Sequence, residues 1–230
     1  MHPLFDAHSH LGCAPSQGVG WRVICGTREA DWGGVLAEAA ADPGVIPMLG
    51  LHPWFVAEAA PGWELRLEAL LRTHPAGVGE CGLDFSRQDA DRSAQAAALR
   101  TQLGLARDLG RPVALQAVRA WGPLLTLLRA AGPLPKAMLH AYSGSPETAK
   151  ELQALGLWLS LSAARLETHG PAAQASLQAV AGDRLLLESD GQAELTEVLA
   201  VMARHGGEDP AVLAARTWEN GLRCFREVLA

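Results

Sequence analysis

Short apolar runs separated by longer stretches of helical periodicity recur along the whole of this 230-residue chain. The runs are Pro3 to His8, Trp21 to Gly26, Val45 to Leu51, Gly77 to Gly82, Pro112 to Gln116, Ala137 to Ala141, Leu157 to Ser162 and Arg184 to Glu188. Each reads as a strand. Between them lie segments such as Ala90 to Leu109, whose Leu99, Leu103, Ala106 and Leu109 share one helical face, and Pro146 to Leu155. Pro146 stands at a helix start, where its missing N–H costs nothing, and Pro112 opens a strand, another tolerated position. The tail from Pro210 to Leu229 reads as one or two closing helices. Strands alternating with helices predict an α/β fold, a compact (β/α)8 TIM barrel with C-terminal helices. No linker, repeat or low-complexity tract interrupts it, so residues 1–230 are expected to form a single domain.

In such barrels the chemistry sits where strands end, at the C-terminal face. The first strand ends in Asp6-Ala7-His8-Ser9-His10. Side chains two apart on a strand point the same way, so His8 and His10 aim two imidazoles at one spot. Neutral imidazole is a ligand for Zn²⁺, Mn²⁺ or Fe²⁺. The fourth strand offers Glu80, the fifth Gln116, the sixth His140 and the eighth Asp190. Each has a plainer reading: Glu80 as a turn residue, His140 as a core hydrogen-bonder beside Ser143, Asp190 as the cap of a helix starting near Ala193. One metal centre accounts for all of them together. His8, His10, Glu80 and Asp190 can hold one cation. Glu80 has a second oxygen to share with another cation held by His140 and whatever the fifth strand supplies. Paired cations suit displacement at phosphorus, and Asp190 is the natural general base for the attacking water.

Composition narrows the partners. Hydrophobic residues make up 49% of the chain, which fits a buried globular core. No apolar run is long enough for a membrane span, and the first residues lack a signal-peptide pattern, so no membrane partner is expected. Cys13, Cys25, Cys81 and Cys224 are scattered without a Cys-x-x-Cys pair, and a reducing, cytoplasmic setting is the expectation. The net charge of −6 argues against a non-specific grip on nucleic acid. His2, His74, His169 and His205 read as surface residues. Trp21, Trp158 and Trp218 read as packing residues, and Cys81 should point away from Glu80. Trp54, in the loop after the third strand, is the tryptophan placed for substrate contact.

The motifs resemble the TatD-like metal-dependent hydrolases, a branch of the amidohydrolase superfamily. The resemblance runs through Asp6-Ala7-His8-Ser9-His10, Gly50-Leu51-His52-Pro53, Gly79-Glu80-Cys81-Gly82-Leu83-Asp84-Phe85, and the helix with Gln95, Gln102, Leu103 and Ala106 that leads into Arg111-Pro112-Val113. It continues through Leu139-His140-Ala141-Tyr142-Ser143-Gly144-Ser145 and Leu186-Leu187-Glu188-Ser189-Asp190 to Thr217, Asn220 and Phe225. It implies a TIM barrel, one or two divalent metals such as Mg²⁺, Mn²⁺ or Zn²⁺, and hydrolysis, with several members acting as deoxyribonucleases. It also implies metal ligation by the strand-end residues above, with His52 and Asp84 near the pocket. No lysine is placed to bridge metals as a carbamate: Lys136 precedes its strand and Lys150 lies on a helix.

The chain departs from that pattern twice. The fifth strand should end in a His ligand and instead carries Gln116, whose neutral amide is a weaker ligand. One tight metal site is therefore expected, with the second weak or absent. The long loop that usually follows the eighth-strand Asp is also missing, because Asp190-Gly191-Gln192 runs almost straight into a helix from Glu194. An opened pocket weakens the case for DNA. The leading expectation is a metal-dependent hydrolase that cuts phosphodiester bonds, with Asp190 and Glu80 at the centre of catalysis and DNA, a nucleotide or a small phosphoester as substrate. Two alternatives stay open: a small-molecule ester, amide or phosphate hydrolase on the same site, and a barrel with an impaired metal site acting as a binding protein. A monomer is the default.

Overall fold

A computed structural model of the protein describes residues 3–133 and 135–229; His2 lies outside them. Eight strands form one parallel sheet in sequence order: β1 (Leu4–His10), β2 (Val19–Cys25), β3 (Val45–Leu49), β4 (Gly77–Asp84), β5 (Val113–Val118), β6 (Ala137–Leu139), β7 (Trp158–Ser160) and β8 (Leu185–Leu186). The last strand returns to the first: the Ala7 N–H donates to Leu187 O at 2.8 Å and the Asp190 N–H to His8 O at 3.0 Å. The expected (β/α)8 TIM barrel is the fold.

The helices are α1 (Glu29–Ala41), α2 (Trp63–Thr73), α3 (Arg92–Leu109), α4 (Trp121–Ala130), α5 (Pro146–Ala154), α6 (Ala163–Gln178), α7 (Leu195–Gly206) and α8 (Pro210–Phe225). Their ends follow local chemistry. The Asp91 carboxylate accepts the Ala94 N–H at 2.9 Å, so α3 starts two residues later than its periodicity. Ser145 caps α5 with Pro146 in the first turn, and Asp209 caps α8 ahead of Pro210. No helix separates β1 from β2, and α8 covers β1 instead. Gly221 permits this: a Cβ there would lie 2.4 Å from the Phe5 ring.

Strand alternation divides the core in two. Val113, Leu115 and Ala117 of β5, Ala137 and Leu139 of β6, and Leu185 and Leu187 at β8 face the helices. Ala114, Met138, Trp158 and Leu186 face the lumen, with Phe5, Ala7, Val23, Cys25, Ile46 and Met48. Phe225 and Val228 belong to this inner cluster, and Phe225 stacks on Phe5 at 5.8 Å between centroids. The lumen is thus filled from one end by apolar side chains. Trp158 is buried, while Trp21 and Trp218 pack against the cluster partly exposed. Cys81 points away from Glu80 into the helix-facing core, as expected. His169 is exposed, whereas His74 and His205 are half-buried. No helix among the described residues is long and apolar enough to cross a membrane.

Candidate metal centre and catalytic cleft

On β5 to β8 each lumen-facing apolar residue is followed by a polar one two positions later. Ala114 is followed by Gln116, Met138 by His140, Trp158 by Ser160, and Leu186 by Glu188. The period of two stacks these polar groups directly above the apolar filling. β1 reaches the same layer by a different route. Its pairing with β2 shifts register between Asp6 and Ser9, so it runs on through His10 rather than stopping at His8. The irregularity changes parity: Phe5 and Ala7 line the apolar layer, yet His8 joins the polar one. Gly82 lets β4 lie close to β5, since a Cβ there would meet Gln116 O at 2.0 Å.

The structure brings all six candidate residues together. His8 Nε2 lies 3.5 Å from Glu80 Oε2 and 3.7 Å from Asp190 Oδ1. His10 Nε2 reaches the same Asp190 oxygen at 3.2 Å. His140 Nε2 lies 3.0 Å from Glu80 Oε1 and 2.8 Å from Gln116 Oε1. The His8 and His140 rings stack with centroids 4.0 Å apart. Ligand atoms of His8, His10 and Glu80 form one compact set, and those of His8, His140 and Asp190 another. His140, expected on a separate second site, therefore also adjoins the first. The plainer readings fall away. His140 meets Gln116 and Glu80, and Glu194 holds the N-cap position of α7, leaving the Asp190 carboxylate to His10 and to the Gln192 amide at 2.9 Å.

Burial and mutual charge set the protonation states. Burial, helped by neighbouring His140, pushes His8 down to about 3, so its imidazole is neutral at physiological pH. Burial alone would raise Glu80, but His140, His8 and His52 around it more than reverse this and hold it ionised. Burial would lower His140, yet Glu80, Glu188 and Asp190 push it up to about 9. Asp190 is held below its ordinary value, because the bond to His10 and the nearby imidazoles outweigh burial. The site thus presents the neutral nitrogen of His8 and the ionised oxygens of Glu80 and Asp190, donors for a divalent cation, while His140 carries a proton that such a cation would have to displace.

A cation also answers an unmet demand. His8 Nε2 and Glu80 Oε1 are buried without a hydrogen-bond partner. A buried polar atom left unpaired costs about 1–3 kcal/mol, more when charged. A cation between them would satisfy both.

Sequence reasoning underweighted a second ring of residues. Glu188, two positions before Asp190 and hence on the same side, accepts the Ala141 N–H at 2.9 Å and the Ser160 hydroxyl at 2.5 Å. It approaches His140 Nδ1 at 3.8 Å, and burial pushes it up to about 7. Its period-two relation to Asp190 was the available signal. His52 caps a short 3-10 helix (Pro53–Glu58), its Nδ1 accepting the Trp54 N–H at 3.1 Å. The remaining ring proton then sits on Nε2, 3.6 Å from Glu80 Oε1. Asp84 stands behind Gln116, accepting its amide N–H at 3.3 Å and the Trp54 indole N–H at 2.9 Å. His10, His52, Glu80, Gln116, His140 and Asp190 floor an open cleft of about 510 Å³ whose walls include Leu11, Trp54, Phe55 and Gln192.

Comparison with known proteins points to one family. The family described as TatD related DNase matches residues 5–226. A protein named 3'-5' ssDNA/RNA exonuclease TatD from Cronobacter sakazakii is 31% identical over 241 residues, covering 96% of this chain and 92% of its own. Its counterpart from Edwardsiella piscicida is 34% identical over 190 residues, covering 80% and 73%. Among solved structures, the TatD homologue YJJV from Escherichia coli K12 superposes with a TM-score of 0.84 at 26% identity, covering 91% of this chain and 87% of that one.

Proposed function

The chain belongs to the TatD related DNase family and is a metal-dependent hydrolase of that group, and on that premise we propose that it cleaves phosphodiester bonds of single-stranded nucleic acid from an accessible end. The observation that carries this reading is the pair of unpartnered buried ligand atoms, His8 Nε2 and Glu80 Oε1, beside Asp190 Oδ1 beneath an open cleft that Glu80 and Asp190 line. His8, His10, Glu80 and Asp190 would hold one divalent cation tightly, and Glu80, His140 and Gln116 a second one weakly. Mg²⁺, Mn²⁺ and Zn²⁺ all suit this mixed donor set. Bound there, a cation makes water acidic enough to attack at neutral pH and offsets charge on the phosphoryl group.

The chain's own residues do the rest. Asp190, held ionised beside His10, accepts the proton of the attacking water through Oδ1. The new bond forms at phosphorus and the bond to the departing sugar oxygen breaks. Gln192 donates to the other Asp190 oxygen, Oδ2, and with His10 at Oδ1 it orients the carboxylate. His52 turns its Nε2 proton into the cleft, where it can donate to a phosphoryl oxygen. Glu188 stands behind the His140 ring, 3.8 Å from Nδ1.

The short connection from Asp190 to α7 and the net charge of −6 favour a second reading, a small phosphoester as substrate. The free thiols Cys25, Cys81 and Cys224 are buried, which supports a cytoplasmic setting. The test strips the protein with chelator, reloads it with each cation in turn, and compares end-labelled single-stranded DNA and RNA, duplex DNA and p-nitrophenyl phosphate. Stepwise shortening of single strands supports the proposal. Turnover of the small ester alone supports the second reading.

A further inference from the structure

We infer that Trp54 is a stacking platform for the nucleobase next to the scissile phosphate, an inference that rests on the nucleic-acid reading above. Trp54 is 46% exposed, rare for so large an apolar residue. It is nonetheless fixed. Its backbone N–H caps onto His52 Nδ1, and its indole N–H donates to Asp84 Oδ2. Asp84 is itself buried and anchored by Ser86 through its other oxygen. The indole thus stands with its polar edge tied down, the Arg87 guanidinium over the ring at 5.9 Å from its centroid and much of the remaining ring surface open.

Its position is specific. Trp54 forms the wall shared by the cleft over the candidate metal centre and a neighbouring cleft of about 240 Å³ that also contains Arg87. The His52 ring meets the indole edge-on at 5.1 Å between centroids, and His52 Nε2 lies 3.6 Å from Glu80. One imidazole separates the platform from the candidate metal centre, a span that a single nucleotide bridges. On the outer side lies the Arg87 guanidinium, 53% exposed and paired with the exposed Asp89 at 3.4 Å, a surface pair that a phosphate can replace. Aromatic stacking accepts every base, so such a platform gives little sequence preference. It does require an unpaired base, since the faces of a base inside a duplex are already stacked. The expected consequence is a preference for single strands.

The test compares wild type, Trp54→Ala and Trp54→Phe on two single-stranded oligonucleotides that differ only in a normal or an abasic terminal residue. Trp54→Ala should raise KM on the normal substrate by roughly 5- to 150-fold, the range for one stacked base. It should leave kcat nearly unchanged, and the abasic substrate should not distinguish it from wild type. Trp54→Phe keeps a ring and should recover most of the loss. Equal loss on both substrates, or no rescue by phenylalanine, overturns the inference and reduces Trp54 to a support for Asp84. Anisotropy of a labelled oligonucleotide, measured in chelator, separates this from failure of the nuclease reading. Saturable binding weakened by Trp54→Ala supports the platform whether or not the strand is cut, and binding insensitive to the substitution, or none, refutes it.

Discussion

His140 provides the sharpest test of how this centre loads metal. Glu80 at 3.0 Å and Glu188 at 3.8 Å flank its ring and push it up to about 9 in the metal-free protein. A cation using His140 must therefore displace a proton, whereas one using His8, lowered to about 3, displaces none there. At pH 7 the gap of two units corresponds to a penalty of ~100-fold in affinity, or about 2.7 kcal/mol. Second-site affinity should thus rise ~10-fold per pH unit above neutrality and level off near the pKa of His140. A filled first site brings positive charge close by and moves that plateau below about 9 without reversing the slope. The same shift acts on folding: in chelator, the stabilisation from protonated His140 is complete below its ordinary value of 6.5 and is lost as pH rises through about 9. Calorimetric titration at pH 7 in two buffers of different ionisation enthalpy counts the protons released with each metal equivalent. The second equivalent should release close to one, and Gln116→His, which adds a nitrogen donor beside His140, should raise second-site occupancy at a given metal concentration. Two equivalents bound equally tightly with no difference between buffers would refute the reasoning.

Three further outcomes follow from the same geometry. His8→Ala combined with His10→Ala should abolish tight metal binding and hydrolysis while circular dichroism still reports a folded barrel; activity in that variant would sink the role assigned to the β1 histidines. Asp190→Asn keeps the shape but not the basicity, and kcat should fall by ~10² or more at saturating metal; a change of less than about threefold would leave Asp190 without a role as base. Phe225→Ala empties part of the lumen filling beneath the polar layer and should cost about 3–5 kcal/mol in urea denaturation; a cost below about 1 kcal/mol would show that the inner cluster does not depend on this residue.

The strand ends were legible because physics marks them twice. A strand buried on both faces reads as an apolar run, and a His, Glu, Gln or Asp that interrupts the run at its end stands out. Glu80, Gln116, His140 and Asp190 were found this way, and all line the cleft. What escaped was geometry without a compositional trace. The register shift in β1 changes which side His8 faces, and nothing in Asp6-Ala7-His8-Ser9-His10 announces it. Ser9, polar in the middle of the strand, made β1 look shorter than it is. His52 and Trp54 sit in a connection whose short helix depends on one side chain capping one backbone N–H. Glu188 was passed over because its partners, Ser160 and Ala141, come from other strands.

That division has a functional counterpart. The floor of the cleft is made by strand-end residues, locked by the apolar layer below and by each other, so a change there disturbs ligand geometry directly. The walls come from connections: Leu11 after β1, Trp54 and Phe55 after β3, Gln192 after β8. Connections tolerate change that strand ends do not. The departures from the family pattern sort accordingly. The short segment after Asp190 alters a wall, leaving His8, His10, Glu80 and Asp190 in contact. Gln116 alters a floor position assigned above, by proposal, to a second cation, and both ends of its amide are bonded, to His140 and Asp84. The geometry therefore predicts that chemistry and selectivity separate: substitutions in the floor should act on kcat and metal content, and substitutions in the walls on KM and on which ester is taken, which kinetics and metal analysis of paired floor and wall variants would check.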